Sequence, residues 1–154
     1  MDVIGREREK GILSRALVSN ESELIAIYGR RRVGKTFLIR ESYKSHIVFD
    51  LTGIKGVYKK TQLKNFQSQL KSSSARYKNV AAPKDWFEAF ELLKEFLNHL
   101  TSKKKKVIFI DEFPWLCSQR SDFLMLFEHF WNSYCTKRND LVVVVCGSAA
   151  NHYN

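Results

Sequence analysis

The most informative part of the sequence is Gly29-Arg30-Arg31-Arg32-Val33-Gly34-Lys35-Thr36. It matches the pattern G-x-x-x-x-G-K-[ST], in which the backbone surrounds phosphate groups. Gly29 lets the chain turn tightly at the end of a strand, and Gly34 lets the backbone approach a phosphate closely. The loop N–H groups and the N-terminus of the following helix then form an anion nest. The stretch predicts a phosphate-binding loop, and we add the next residue, Phe37, to the candidate site.

Two side chains of this loop would act on the ligand. Lys35 would reach the β- and γ-phosphates, and Thr36 would bind Mg²⁺. The four fixed positions match by chance in a chain of this length on the order of half a percent of the time. A loop that kept its shape but lost its activity would give the same pattern. The arginines at 30–32 lie either on the outer part of the loop or on a solvated basic rim.

A second apolar run, Val107 to Ile110, ends in two carboxylates, Asp111 and Glu112. An Asp at the end of a strand beside a phosphate loop can hold the Mg²⁺ shell. A carboxylate one residue later can act as general base toward the attacking water. The alternative is a solvated turn that leads into Phe113-Pro114.

Helices and strands alternate along the chain. Short apolar runs predict strands at 24–28, 46–51, 107–110 and 141–146. Helical periodicity covers 6–18, 35–43, 60–71, a segment capped by Asp85, and 121–135, whereas 71–79 is predicted to be a loop. This alternation predicts an α/β fold with a parallel sheet covered on both faces and with ligands at the carboxyl ends of the strands. The extra strand between the loop strand and the Asp111 strand, together with Glu112, favours the class with a catalytic glutamate.

Composition excludes several classes of protein. The 154 residues include 44% hydrophobic and 13% aromatic residues, which excludes a disordered chain. No apolar run approaches the roughly 20 residues that a membrane span needs, and the charged first twenty residues contain no secretory signal. Three cysteines without metal-ligand spacing indicate reduced thiols, which favours a cytoplasmic location.

Four segments together resemble one known family. They are Val3–Glu9, Ile27–Thr36, Phe109–Leu116 and Val145–Ser148. These segments resemble prokaryotic P-loop ATPases of the AAA+/STAND type, and more narrowly the archaeal ATPase group. The resemblance runs from about residue 3 to residue 150, and Tyr28–Thr36 is its most specific part.

The resemblance implies a ligand and further roles. ATP or ADP would bind with Mg²⁺, and hydrolysis would drive a conformational switch. Ile4, Gly5 and Arg6 would pack against the adenine, or would simply be the start of a helix. Ser148 would sense the γ-phosphate, or would be a small turn residue.

The resemblance also implies a three-layer P-loop NTPase core with strand order 5-1-4-3-2. The sequence offers no fifth strand or helical lid, so we expect residues 1–154 to form a single truncated core domain. Leu24–Tyr28 would then be an open sheet edge through which the chain could self-associate. We expect this chain to bind nucleotide better than it hydrolyses it, because the lid and an arginine finger contribute strongly to the rate.

The net charge of +10 raises a second possibility. The basic residues cluster at 30–32, 55–64, 71–78 and 103–106, where they form either a solvated face or a surface for nucleic acid. No zinc, helix-turn-helix or RNA-binding motif accompanies them, and the four histidines fit no catalytic or metal pattern. The rival function is a non-catalytic nucleotide- or nucleic-acid-binding module.

Overall fold

The computed structural model describes residues 3–29, 34–118 and 121–148, with side chains from Glu7 onward. Within these residues, strands alternate with helices as the apolar runs predicted. The elements are α1 Val3–Val18, β1 Glu23–Gly29, α2 Lys35–Tyr43, β2 Ile47–Thr52, α3 Lys59–Ser73, α4 Trp86–Asn98, β3 Lys106–Asp111, α5 Phe123–Ser133 and β4 Leu141–Ser148.

The four strands form one parallel sheet in the order β1-β4-β3-β2. This confirms the predicted α/β fold and the relative order of these four strands. The register brings the carboxyl ends of the strands to one edge, where Gly29 lies beside Ser148 and Thr52 beside Asp111. Any ligand of the phosphate loop therefore lies at this edge.

Two apolar cores cover the two faces of the sheet. The helices α3, α4 and α5 pack on one face, around Phe66, Trp86 and Phe123. The helices α1 and α2 pack on the other face, around Leu13, Ile39 and Tyr43. Alternate residues of β3 and β4 point into each core, which is why both central strands are buried along their whole length.

The helix boundaries follow local chemistry. The carboxylate of Asp85 accepts a hydrogen bond from the Glu88 N–H at 2.8 Å, so Asp85 is the predicted N-cap of α4. The expected loop at 71–79 was only partly correct, because α3 continues to Ser73 and a 3₁₀ turn covers Ala75–Tyr77. That turn buries Tyr77 against Phe96, a contact that periodicity alone does not reveal.

The lysine run at 103–106 lies at the amino ends of the strands, away from the phosphate loop. It is only partly a solvated face, because Lys106 is 3% exposed. Its ammonium donates hydrogen bonds to Asp140 and to two backbone carbonyls. Lys104 and Lys105 also donate to backbone carbonyls, so these charges stabilise loop ends.

Candidate nucleotide-binding site

The candidate site begins where β1 gives way to α2. Gly34 has a φ of 76° and a ψ of 21°, a left-handed conformation that favours glycine. Its carbonyl accepts the Leu38 N–H at 2.9 Å, which closes the first turn of α2. This turn places Lys35 and Thr36 at the N-terminus of the helix, where the backbone N–H groups and the helix dipole favour an anion.

Gly29, the last residue of β1, makes room for the lysine. A Cβ at this position would lie 2.3 Å from Cε and 3.0 Å from Nζ of Lys35. The Lys35 side chain therefore folds back over the end of β1. Any side chain at Gly29 would displace the ammonium from its observed position.

The Lys35 ammonium lies 2.9 Å from Oε2 of Glu9, a residue of α1. Both groups are mostly buried, with side chains 17% and 29% exposed. An ammonium in such a place needs a negative partner. Glu9 supplies that charge in this structure, at the atom that the sequence assigns to nucleotide phosphates.

Thr36 and Asp111 meet although 75 residues separate them. The Thr36 hydroxyl donates to Oδ2 of Asp111 at 2.8 Å, and the Glu112 N–H donates to Oδ1 at 2.8 Å. Asp111 is 8% exposed. A hydroxyl and a carboxylate side by side are the oxygen ligands that Mg²⁺ prefers, so these residues fit that ion.

Cys146 of β4 lies next to Asp111. Burial, followed by the Asp111 charge and a hydrogen bond to it, raises the pKa of the Cys146 thiol to about 12. The thiol therefore stays protonated at neutral pH. It adds no negative charge to the carboxylate.

Glu112 has an unusual backbone conformation. Its φ of 52° and ψ of 41° are left-handed, and among the described residues it is the one non-glycine with positive φ. Such a conformation costs free energy and is concentrated at functional sites. Gly53 supports this turn: its N–H donates to the Asp111 carbonyl at 2.9 Å, and a Cβ there would lie 2.4 Å from the Glu112 carbonyl oxygen.

Ser148 ends β4 beside Gly29. It is 8% exposed, and its Oγ has no hydrogen-bond partner among the described residues. A buried hydroxyl without a partner is uncommon and calls for an explanation. Its position at the phosphate-loop edge is compatible with the predicted sensor.

Some predicted site residues are not covered by the described atoms. Arg30, Arg31, Arg32 and Val33 lie outside the described residues. Ile4, Gly5 and Arg6 belong to the first turn of α1, but their side chains also lie outside the description. Phe37 is described and is 65% exposed on α2. The loop arginines, the adenine contacts and Phe37 stay predictions.

Two residues of the site escaped sequence reasoning. Glu9 lies within the segment that carried the family resemblance, but acidic residues early in a helix are usually solvated. Gly53 follows β2, and a glycine just after a strand signals a close backbone approach without identifying its neighbour. In the described residues no group of three or more His, Cys, Asp or Glu side chains could hold a metal. No described helix is long and apolar enough to cross a membrane.

Comparisons with known proteins agree with this site. The model of a family described as "ATPase domain predominantly from Archaea" matches residues 4–151. An uncharacterized protein of Methanocaldococcus jannaschii is 31% identical over 146 residues, which are 95% of this chain and 29% of that protein. The chain thus spans less than a third of the length of this curated relative.

Solved structures share the fold at low sequence identity. The Aeropyrum pernix ORC2 protein in its ADPNP–ADP complexes has a TM-score of 0.58 at 16% identity, over 96% of this chain and 41% of that one. Drosophila ORC bound to DNA has a TM-score of 0.62 at 16% identity, over 94% and 37%. The Walker-type ATPase of Pyrococcus abyssi has a TM-score of 0.54 at 20% identity, over 92% and 44%. This chain spans less than half of each.

Proposed function

Because the chain belongs to the family of ATPase domains found predominantly in Archaea, we propose that it binds MgATP at residues 29–37 and hydrolyses it to ADP and phosphate. The observation that carries this proposal is the 2.8 Å contact between Thr36 and Asp111. Two residues that the sequence selected independently as magnesium ligands come together at the N-terminus of α2. A solvated turn at Asp111 would not explain that contact.

Each residue then has a distinct role. Lys35 neutralises the β- and γ-phosphates, while Thr36 and Asp111 hold Mg²⁺. The ion, when bound, offsets phosphate charge and orients the γ-phosphate. Glu112 accepts a proton from the attacking water, whose oxygen bonds to the γ-phosphorus as the bond to ADP breaks. The Ser148 hydroxyl donates to a γ-phosphate oxygen.

A conformational switch follows from the contact between Glu9 and Lys35. Phosphate and the Glu9 carboxylate would compete for one ammonium. Nucleotide binding would therefore release Glu9 and change how α1 contacts the loop. Hydrolysis and phosphate release would restore the contact.

The first test is calorimetric titration of ATP and ADP, with Mg²⁺, into the chain and into Lys35→Ala. We expect binding to weaken about tenfold to a hundredfold in the variant, since charge-assisted hydrogen bonds are lost. Lys44→Ala is the matched control, because Lys44 is exposed just beyond the other end of α2. Equal effects of the two substitutions, or no binding by the parent chain, would contradict the proposed loop.

The second test separates turnover from binding. Glu112→Gln should lower the hydrolysis rate about 10²- to 10⁴-fold, because it removes a general base, and should leave ATP affinity unchanged. Phosphate release measures the rate. A parent chain that binds ATP with no turnover above that of Glu112→Gln would favour the alternative, a non-catalytic nucleotide-binding module.

A further inference from the structure

The positive charge of the molecule is concentrated in one segment. Residues 51–84 contain eight basic residues and no acidic residue. The other 120 residues carry 18 basic and 16 acidic residues, a net charge of only +2. The eight are Lys55, Lys59, Lys60, Lys64, Lys71, Arg76, Lys78 and Lys84.

The segment forms one outer edge of the protein. It contains the connection after β2, the last strand of the sheet, and the helix α3. Leu63, Phe66 and Leu70 of α3 are buried in the core. The opposite side of the helix therefore presents Lys60, Lys64 and Lys71 to solvent at helical spacing.

An exposed aromatic ring lies at the N-terminus of this helix. Tyr58 is 88% exposed, the highest value among the exposed large hydrophobic residues of the description. It lies between Lys55 and Lys59 in the sequence. We define the α3 basic face as Lys55, Tyr58, Lys59, Lys60, Lys64 and Lys71.

The lysines of this face have no described counterion. None of them forms an ion pair with a described carboxylate, whereas Lys35, Lys94 and Lys106 each do. Lys55 instead lies 5.5 Å from the centre of the Trp115 ring, a cation–π contact. Five cations without counterions form an electropositive surface that favours a polyanion.

We propose that the α3 basic face binds single-stranded nucleic acid, with its lysines on the phosphates and Tyr58 stacked on a base. Lys60 and Lys71 are about 16 Å apart along the helix axis, which is long enough for a short run of phosphates. Single-stranded nucleic acid binds where a positive surface follows its backbone and an aromatic side chain stacks on its bases. The exposed ring favours unpaired bases, because bases in a duplex are stacked on each other.

The basic face is joined to the turn that carries Glu112. The Gln62 side chain, 3% exposed, accepts the Ile54 N–H and donates to the carbonyls of Ile54 and Trp115. Gln62 thus connects α3, the β2–α3 connection and the segment just after Glu112. A strand bound on the face would contact the segment that supports the proposed general base.

The test measures binding of a fluorescent oligothymidylate of about 12 nucleotides by anisotropy, without ATP, over a range of salt concentrations. The variant Lys60→Gln with Lys64→Gln should make the plot of log affinity against log salt shallower by about 1.4, since each lost phosphate contact on a single strand accounts for about 0.7. Tyr58→Ala should weaken binding about tenfold and leave the slope unchanged.

The matched control is Lys44→Gln with Lys103→Gln. Both lysines are exposed at the amino ends of the strands, so the charge change is the same and the location differs. The control should bind as the parent chain does. Circular dichroism verifies that all variants are folded.

Three outcomes would overturn the proposal. They are equal loss of affinity in the control, no effect of Tyr58→Ala, and binding of anionic phospholipid vesicles or of duplex DNA in preference to the oligonucleotide. The measurement contains no ATP, so a failed nucleotide site would leave its result unchanged. Conversely, loss of oligonucleotide binding would leave the proposed ATPase intact.

Discussion

At the scale of single residues, the ion pair between Lys35 and Glu9 determines how nucleotide enters the site. The two charges lie 2.9 Å apart and are mostly shielded from water. Phosphate oxygens must replace the Glu9 carboxylate before Lys35 can bind them. Part of the binding free energy of ATP is therefore spent on breaking this contact.

Glu9→Gln should bind MgATP about two- to fivefold more tightly than the parent chain. Partly exposed ion pairs contribute up to about 1 kcal/mol, and the neutral amide competes less for the ammonium. Calorimetry measures the change, and Glu7→Gln is the control because Glu7 is exposed on the same helix. Weaker ATP binding by Glu9→Gln would mean that Glu9 assists the nucleotide, which would contradict the competition.

Sequence identified some of these residues because their chemistry depends on spacing. Lys35 and Thr36 follow a fixed glycine, and Asp111 and Glu112 directly follow an apolar strand. Glu9 could not be found in this way, since nothing in a helix of mixed charge reports which distant cation it meets. The left-handed backbone of Glu112 is equally hidden, because glutamate does not favour that conformation.

At the scale of elements, an ion-pair cluster holds the amino ends of β3 and β4 together. Asp140 accepts two hydrogen bonds from Arg138, at 2.8 and 2.7 Å, and one from the Lys106 ammonium at 3.0 Å. The Lys106 N–H also donates to the Asp140 carbonyl. These partners, Arg138 foremost, lower the pKa of Asp140 from 3.8 to about 2.

Asp140→Asn should lower the free energy of unfolding by about 2 kcal/mol at neutral pH, since the buried Lys106 loses its carboxylate. The lowered pKa means that Asp140 stabilises the fold above pH 3.8, and that this contribution disappears as the pH falls toward 2. Urea unfolding across this range should show the parent and the variant converging. Asp122→Asn, at an exposed aspartate, should change little; a difference that persists at the lowest pH would contradict this assignment.

Strands were easier to predict than their neighbours. Each apolar run formed a strand because a strand buried on both faces needs continuous hydrophobic sequence. Phe87 and Leu124 show the limit of helical periodicity, because both are exposed although each lies among apolar residues of a helix. Periodicity locates an apolar stripe, but packing determines which residues at its border are covered.

At the scale of the whole molecule, β1 is an edge strand on which apolar groups remain exposed. Among the described residues it pairs with β4 alone. Its burial alternates, and Leu24 and Tyr28 are each 42% exposed. A groove of about 550 Å³ lies between this strand and α1, and Ile12 and Leu24 line it. An apolar edge with unpaired backbone groups is a template for pairing with another chain.

We expect this chain to self-associate through β1, with a mass that rises with concentration in light scattering. Leu24→Lys should reduce the association, because a lysine on an edge strand opposes pairing by another strand. The control is Met125→Lys, which places the same charge at a residue 68% exposed on α5. Calorimetry with ATP would show whether the variant remains folded, since Leu24 lies at the opposite end of β1 from Gly29. A parent chain that stays monomeric at every concentration, or a Met125→Lys variant that dissociates as much as Leu24→Lys, would contradict pairing through this edge.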